Sequence, residues 1–161
     1  MEVEMKIKGL MIDPITNMPI IILRDPSSSA VLPIWVGIFE ANAIALQIEK
    51  IATPRPMTHD LLKSMLTGLR ATVEKVVITD LKENTFYALI FVNREGETMP
   101  IDSRPSDAIA LALRTGSPIF VNTDVIEKAK NTDLTKDAGE SERIRKWLES
   151  LDPDEMGKYE M

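Results

Sequence analysis

The sequence predicts an α+β fold: a mixed or antiparallel sheet with three main helices packed on it, followed by a C-terminal helical tail. Three observations carry this. Several short segments alternate apolar and polar residues at period two, as half-buried strands do. Three others repeat apolar residues at helical spacing behind good start signals. The two kinds do not alternate regularly, so a doubly wound parallel sheet is disfavoured.

Val3, Met5 and Ile7 alternate with Glu2, Glu4, Lys6 and Lys8, which predicts a first strand. Asp13-Pro14 marks a turn before the Ile-rich strand Met18 to Leu23. Asp25-Pro26-Ser27-Ser28-Ser29 is the clearest loop. Val31 to Val36 reads as a strand interrupted by Pro33, which places it at an edge or on a bulge. Ile38, Ala41, Ile44, Ala45, Ile48 and Ile51 then recur at helical spacing. Thr53-Pro54-Arg55-Pro56 ends that helix, because two prolines so close cannot continue it. A second helix is expected from Thr58, a good N-cap, through Leu69. Thr72–Leu81 and Thr85–Asn93 predict a hairpin, and Thr98–Asp102 a short strand. A third helix runs from Pro105 to Thr115 and ends at Gly116. A short strand at Ile119–Val121 and a short helix at Asp124–Lys130 close a domain over residues 1–130. Residues 131–161 read as an acidic, partly helical, mobile tail: a linker over Asn131–Gly139, then a helix in which Ile144, Trp147, Leu148 and Leu151 share a face.

Composition narrows the function classes. The chain has 161 residues, enough for one domain of ordinary size. It has no cysteine, which excludes a disulfide framework, a thiolate metal site and a cysteine nucleophile. The acidic N-terminus lacks the basic segment of a signal peptide, and no apolar run is long enough to span a bilayer, so a cytoplasmic protein without membrane contact is expected. The net charge is −6. Residues 1–120 carry 12 basic and 14 acidic side chains, and the remainder 7 and 11. Nucleic-acid affinity rests largely on Lys and Arg neutralising phosphates, so any such function must rest on a local site.

Two helix starts echo one another. Arg55-Pro56-Met57-Thr58-His59-Asp60 opens the second helix, and Arg104-Pro105-Ser106-Asp107 the third. Capping alone explains hydroxyls and carboxylates in a first turn, since both accept from unpaired N–H groups and Asp suits the positive dipole end. The density of polar groups supports more. Asp102, Ser103, Arg104, Ser106 and Asp107 crowd a strand-to-helix junction. Two converging carboxylates can bind a hard divalent cation, and an adjacent Arg can clamp a phosphate. His59, the sole histidine, is either a solvated residue near a helix start or a general base. Glu40 is by default a first-turn acid favoured by the dipole. Trp35, Phe86 and Phe91 read as core rather than base-stacking platforms.

In order along the chain, Leu32-Pro33-Ile34-Trp35-Val36-Gly37 with Glu40-Ala41 and Ile44-Ala45, Arg55-Pro56-Met57-Thr58-His59-Asp60-Leu61, Phe86-Tyr87-Ala88 and Ile101-Asp102-Ser103-Arg104-Pro105-Ser106-Asp107-Ala108-Ile109-Ala110-Leu111-Ala112 resemble the bifunctional nuclease family. The likeness covers about Met5 to Lys130, and its last segment is the most specific. The tail does not match the excision-repair-like helical motif that some relatives carry. The resemblance implies an α+β fold that self-associates, as a homodimer or higher homo-oligomer, and an activity on DNA and RNA. Carried over by residue, it marks Glu40, Arg55, Thr58, His59, Asp60, Asp102, Arg104, Ser106 and Asp107 as candidate site residues. One expectation is a metal-assisted phosphodiesterase, with His59, Asp60 and Asp107 as catalytic groups, Arg55, Thr58, Arg104 and Ser106 as substrate contacts, and Glu40, Asp102 and Asp107 as ligands of Mg²⁺ or Mn²⁺. Shared coordination requires Asp102, Asp107 and His59 to converge within about 8 Å. The competing expectation is a non-catalytic regulatory or scaffold domain, in which the same residues cap helices, build an interface or hold a small anion or protein partner.

Overall fold

The structure is a computed structural model that describes residues 1–131. The helix expected at Ser141–Leu151, and the expected linker after its first residue, lie outside the described residues.

One seven-stranded sheet organises the chain. β1 (Glu2–Ile12), β2 (Pro19–Arg24) and β3 (Val31–Trp35) form an antiparallel meander. β4 (Ala71–Lys82), β5 (Thr85–Arg94) and β6 (Glu97–Ser103) form a second one. β7 (Ile119–Asn122) lies between them, antiparallel to β1 and parallel to β4, in the order β3-β2-β1-β7-β4-β5-β6. The sheet is therefore mixed through a single parallel pair, as an α+β fold allows. β3 is an edge strand, as Pro33 predicts: a residue without an N–H is tolerated where only one neighbour needs pairing.

Each meander leads into a helix. α1 (Ile38–Ile48) follows β3 and α3 (Pro105–Thr115) follows β6, while α2 (Thr58–Gly68) precedes β4 and α4 (Thr123–Asn131) follows β7. The helical layer closes the main core, where Ile44 of α1 and Ala108 and Ile109 of α3 meet Ile21, Val76, Ile78, Ala88 and Val121 of the sheet.

Three expectations need correction. α1 ends at Ile48 rather than Ile51. Lys50 turns left-handed (φ 56°), its N–H reaches Gln47 O, and Ile51 N–H reaches Leu46 O, which is a Schellman closure made without glycine. Thr58 is the first helical residue of α2, and Met57 is the cap position. The Asp60 carboxylate satisfies the Met57 N–H at 2.9 Å, so the start is capped from inside the helix. Finally, of the apolar stripe expected on α2 (Leu61, Leu62, Met65, Leu66 and Leu69) only Leu66 packs against the core; the other four are exposed, and His59 is the helix's one buried residue.

Candidate functional site

The three helices that follow or cross the meanders share a device. Glu40, Asp60 and Asp107 are each the third residue of their helix, α1, α2 and α3 respectively. A carboxylate there complements unpaired N–H groups and the positive end of the dipole. Here each carboxylate also meets an arginine, and the arginines tie the helices together.

Arg104 caps α3 and holds two of the carboxylates. Its Nε and Nη2 donate to Asp107 Oδ2 and Oδ1 at 2.9 and 3.3 Å, and its Nη1 donates to Glu40 Oε1 at 3.1 Å. The guanidinium has five N–H groups, so two remain for a ligand. Its side chain is 63% exposed, so these can be reached. Its partners, Asp107 first and then Glu40, raise its pKa further and keep it charged.

His59 Nε2 lies 2.9 Å from Asp107 Oδ1. This joins the first turn of α2 to that of α3, across 48 residues of sequence. Burial alone would push the Asp107 carboxyl up, but hydrogen bonds from Arg104 and then His59 outweigh it and hold the pKa below the ordinary value. Asp107 is therefore an anion at neutral pH. It can orient the imidazole and stabilise the imidazolium.

Asp60 faces a different cation. Arg114 Nε donates to Asp60 Oδ1 at 2.8 Å, Nη1 to Ala110 O and Nη2 to Ala43 O, both at 2.9 Å. One guanidinium thus bonds to all three helices, and its side chain is only 3% exposed. The Met57 N–H and then Arg114 hold the Asp60 pKa low. Sequence reading missed Arg114, since a basic residue in a last turn is ordinary dipole complementation. The available signal was its place two turns after Asp107, among residues patterned as core.

Two clefts flank this network. One, of about 370 Å³, lies under the α1–α2 connection, with Arg55, Gln47 and Ser64 on its walls and Asp60 and Arg114 at its base. The other, of about 270 Å³, is bounded by Trp35, Phe86, Asn84, Glu40, Arg104 and Ser106. Both aromatics are half-buried and pack on apolar clusters, as expected: Phe86 against the main core, and Trp35 against Met11, Ile20 and Ile22 on the other face of the sheet.

Of the residues expected at a site, the structure brings together Glu40, His59, Arg104 and Asp107, with Asp60 beside them. Ser106 and Arg55 line the flanking clefts, and Thr58 is exposed at the start of α2. Asp102 stands apart. It pairs with Leu89, whereas its neighbour Ser103 pairs with the buried Ala88 of the helix-covered face. Side chains alternate along a strand, so Asp102 is on the opposite face of the sheet.

Residues 21–133 match the bifunctional nuclease domain. The chain belongs to the bifunctional nuclease family. An uncharacterized protein of Mycobacterium tuberculosis is 35% identical over 94% of this chain and 96% of its own length. Bifunctional nuclease 1 of Oryza sativa is 30% identical over 64% of this chain, and that of Arabidopsis thaliana 29% over 65%. Those plant proteins are longer, and the match spans about a third of each. The family segment includes the whole Arg104–Asp107–His59 network.

The donor set does not fit a resident divalent cation. Among the described residues, no three His, Asp or Glu side chains are grouped to hold one. Asp102 is on the other face, and Glu40 and Asp107 both already accept from Arg104, whose positive charge opposes a cation beside them. No helix among the described residues is long and apolar enough to cross a membrane.

Proposed function

We propose that the chain is a nuclease whose hydrolytic centre is the His59–Asp107 pair, with Arg104 as the phosphate clamp. The observation that supports this most is the 2.9 Å contact between a unique imidazole and a carboxylate held anionic by an exposed arginine. With the Nε2 proton given to Asp107, His59 Nδ1 holds the lone pair of a general base. Nδ1 takes a proton from water, the hydroxide oxygen bonds to phosphorus, and the ester P–O bond breaks. The leaving alkoxide takes its proton from solvent. The free Arg104 N–H groups meet the charge that develops on the phosphoryl oxygens.

The test is cleavage of labelled DNA and RNA by purified protein, with His59→Ala prepared in parallel to expose contaminating nuclease. Loss of about 100-fold or more is expected for His59→Ala and Asp107→Asn. The assay is run in EDTA and with added Mg²⁺ or Mn²⁺. Persistence in EDTA is expected from the donor set. Strict metal dependence would restore the metal-assisted chemistry that the sequence suggested. A second reading is favoured by a separate observation, that every charge in the network has an internal partner: the arginines would then serve a scaffold by locking three helices. Absence of cleavage under all conditions, with Arg104→Ala lowering stability, would select it.

Self-association belongs to the same proposal. Leu61, Leu62, Met65 and Leu69 of α2 and Phe39 of α1 are exposed, and Phe39 is 87% accessible. Light scattering at micromolar concentration should give a mass above the 18.0 kDa monomer, and a monomer would reject it.

A further inference from the structure

The larger cleft, under the α1–α2 connection, gathers hydrogen-bond donors that the rest of the molecule does not use. Arg55 stands on its wall, exposed, and its guanidinium has no partner among the described residues. The side chains of Gln47 and Ser64, on the same walls, have none among them either. At the base, Arg114 commits one N–H of each nitrogen to Asp60, Ala110 and Ala43, and two of its five remain. The one acid in the lining is already matched: Asp60 Oδ1 accepts from Arg114 and Oδ2 from the Met57 N–H. Arg55 therefore leaves the lining one positive charge in excess, on a chain of net charge −6. A cleft of one sign concentrates ligands of the other.

The backbone that carries Arg55 is set in advance. Pro54 and Pro56 fix their own φ, and each confines the residue before it, Thr53 or Arg55, to extended geometry. Thr53 Oγ1 also donates to Arg55 O at 2.7 Å. This limits the entropy lost when a ligand is bound. The cleft volume of about 370 Å³ is near the lower end for small-ligand sites. Ile51 and Met57 add exposed apolar surface, and no aromatic side chain lines the cleft, so recognition rests on the anionic head of a ligand rather than on stacking. A guanidinium fork, a hydroxyl and a carboxamide outnumber the two oxygens of a carboxylate. A phosphate monoester presents three strong acceptor oxygens and more charge.

We propose that this cleft binds a phosphate monoester, with Arg55 holding the phosphate and Ser64 and Gln47 completing its hydrogen bonds. The site goes beyond the nuclease reading and does not depend on it. A free mononucleotide and the phosphorylated end of a strand supply the same group.

The test is calorimetric titration of the full chain with AMP. Saturable binding with Kd below about 1 mM is expected. Adenosine, which lacks the phosphate, and succinate, which offers carboxylates instead, should each bind at least about tenfold more weakly. Arg55→Ala should weaken AMP binding at least about tenfold, Arg55→Lys should recover only part of the loss, and Ser64→Ala should cost about threefold. Arg55 is exposed and unpartnered, so its variants should melt with the wild type; if they do not fold, Ser64→Ala and Gln47→Ala take their place. Arg104→Ala should leave the AMP affinity unchanged, and His59→Ala serves if that variant does not fold. No binding, equal binding of adenosine or succinate, indifference to Arg55→Ala, or loss of AMP in Arg104→Ala with Arg55→Ala unaffected would overturn the site. A 5′-phosphorylated oligonucleotide that displaces AMP better than its 5′-hydroxyl form would identify a strand end as the source, and equal weakness of the two a free nucleotide; either supports the site. AMP binding without any cleavage would reject the nuclease reading and leave the site standing. His59-dependent cleavage without AMP binding would do the reverse.

Discussion

Asp107 takes hydrogen bonds from Arg104 and His59, and the consequence for stability can be measured. Its folded pKa is below the ordinary 3.8, so the stabilisation it confers is present above that value and is lost as pH falls through the folded pKa. Asp107→Asn should therefore be less stable than wild type at pH 7, by about 1–2 kcal/mol in urea, with the gap narrowing below pH ~3.8. A gap that is constant with pH would show that the charge is immaterial. Arg114 sets a sharper case. Arg114→Met removes the second hydrogen bond of the Ala43 and Ala110 carbonyls, which keep their helical partners, and leaves Asp60 without its cation, which should cost about 1–3 kcal/mol. Lys keeps the charge without the fork, so it should recover only part of the loss. Full rescue by Lys in a denaturation curve would contradict the bonding described. At this scale the sequence was partly legible. The motif at Arg104–Asp107 and the unique histidine named the cluster, but no spacing rule joins residues 59 and 107, or 60 and 114. Asp102 misled because it is close in sequence, while strand alternation puts it on the other face.

The elements were legible where backbone chemistry marks them. Pro33 announced an edge or a bulge, of which the structure has the edge, and Gly116 (φ 68°) ended α3. The end of α1 was not, because Lys50 adopts the left-handed conformation that glycine usually signals, and Arg70 (φ 58°) does the same after α2. The exposed face of α2 shows the limit of periodicity. An apolar stripe reports that a helix has a side to cover and says nothing of what covers it. Gly37, at the start of α1, links element to site. Its backbone (φ −74°, ψ 164°) suits any residue, but a Cβ there would collide with Glu40 Oε2. Gly37→Ala should leave stability within about 1 kcal/mol, because reduced unfolded-state entropy offsets a surface pair of similar size. It should nevertheless push Glu40 off Arg104. In the Gly37→Ala background Glu40→Gln should then have no further effect on activity or melting. Additive effects in that double-mutant cycle would show that Glu40 keeps its partner.

On the scale of the whole molecule, the two meanders are joined through β7. Each meander is local in sequence, so its strands were readable as neighbours, but insertion of a four-residue strand between them was not. Its register explains the choice: Ile119 lies opposite Met5 on one side and Val76 on the other, and Val121 opposite Val3 and Ile78. Ile119 and Val121 are both buried, so this short strand supplies core to both halves at once. The site depends on the same joint. Glu40 belongs to the helix after the first meander and Arg104 and Asp107 to the helix after the second. Val121→Ala should therefore act on the whole fold, not locally. Loss of two buried methyl groups should cost about 1–3 kcal/mol. Amide exchange should accelerate together in β2 and in β5, which do not touch β7, and denaturation should remain a single transition. If only the meander beginning at β4 loses protection while β2 keeps its own, the halves are independently stable. The Glu40–Arg104 pair would then join two separate folding units, and breaking it should change activity without changing either unit's stability.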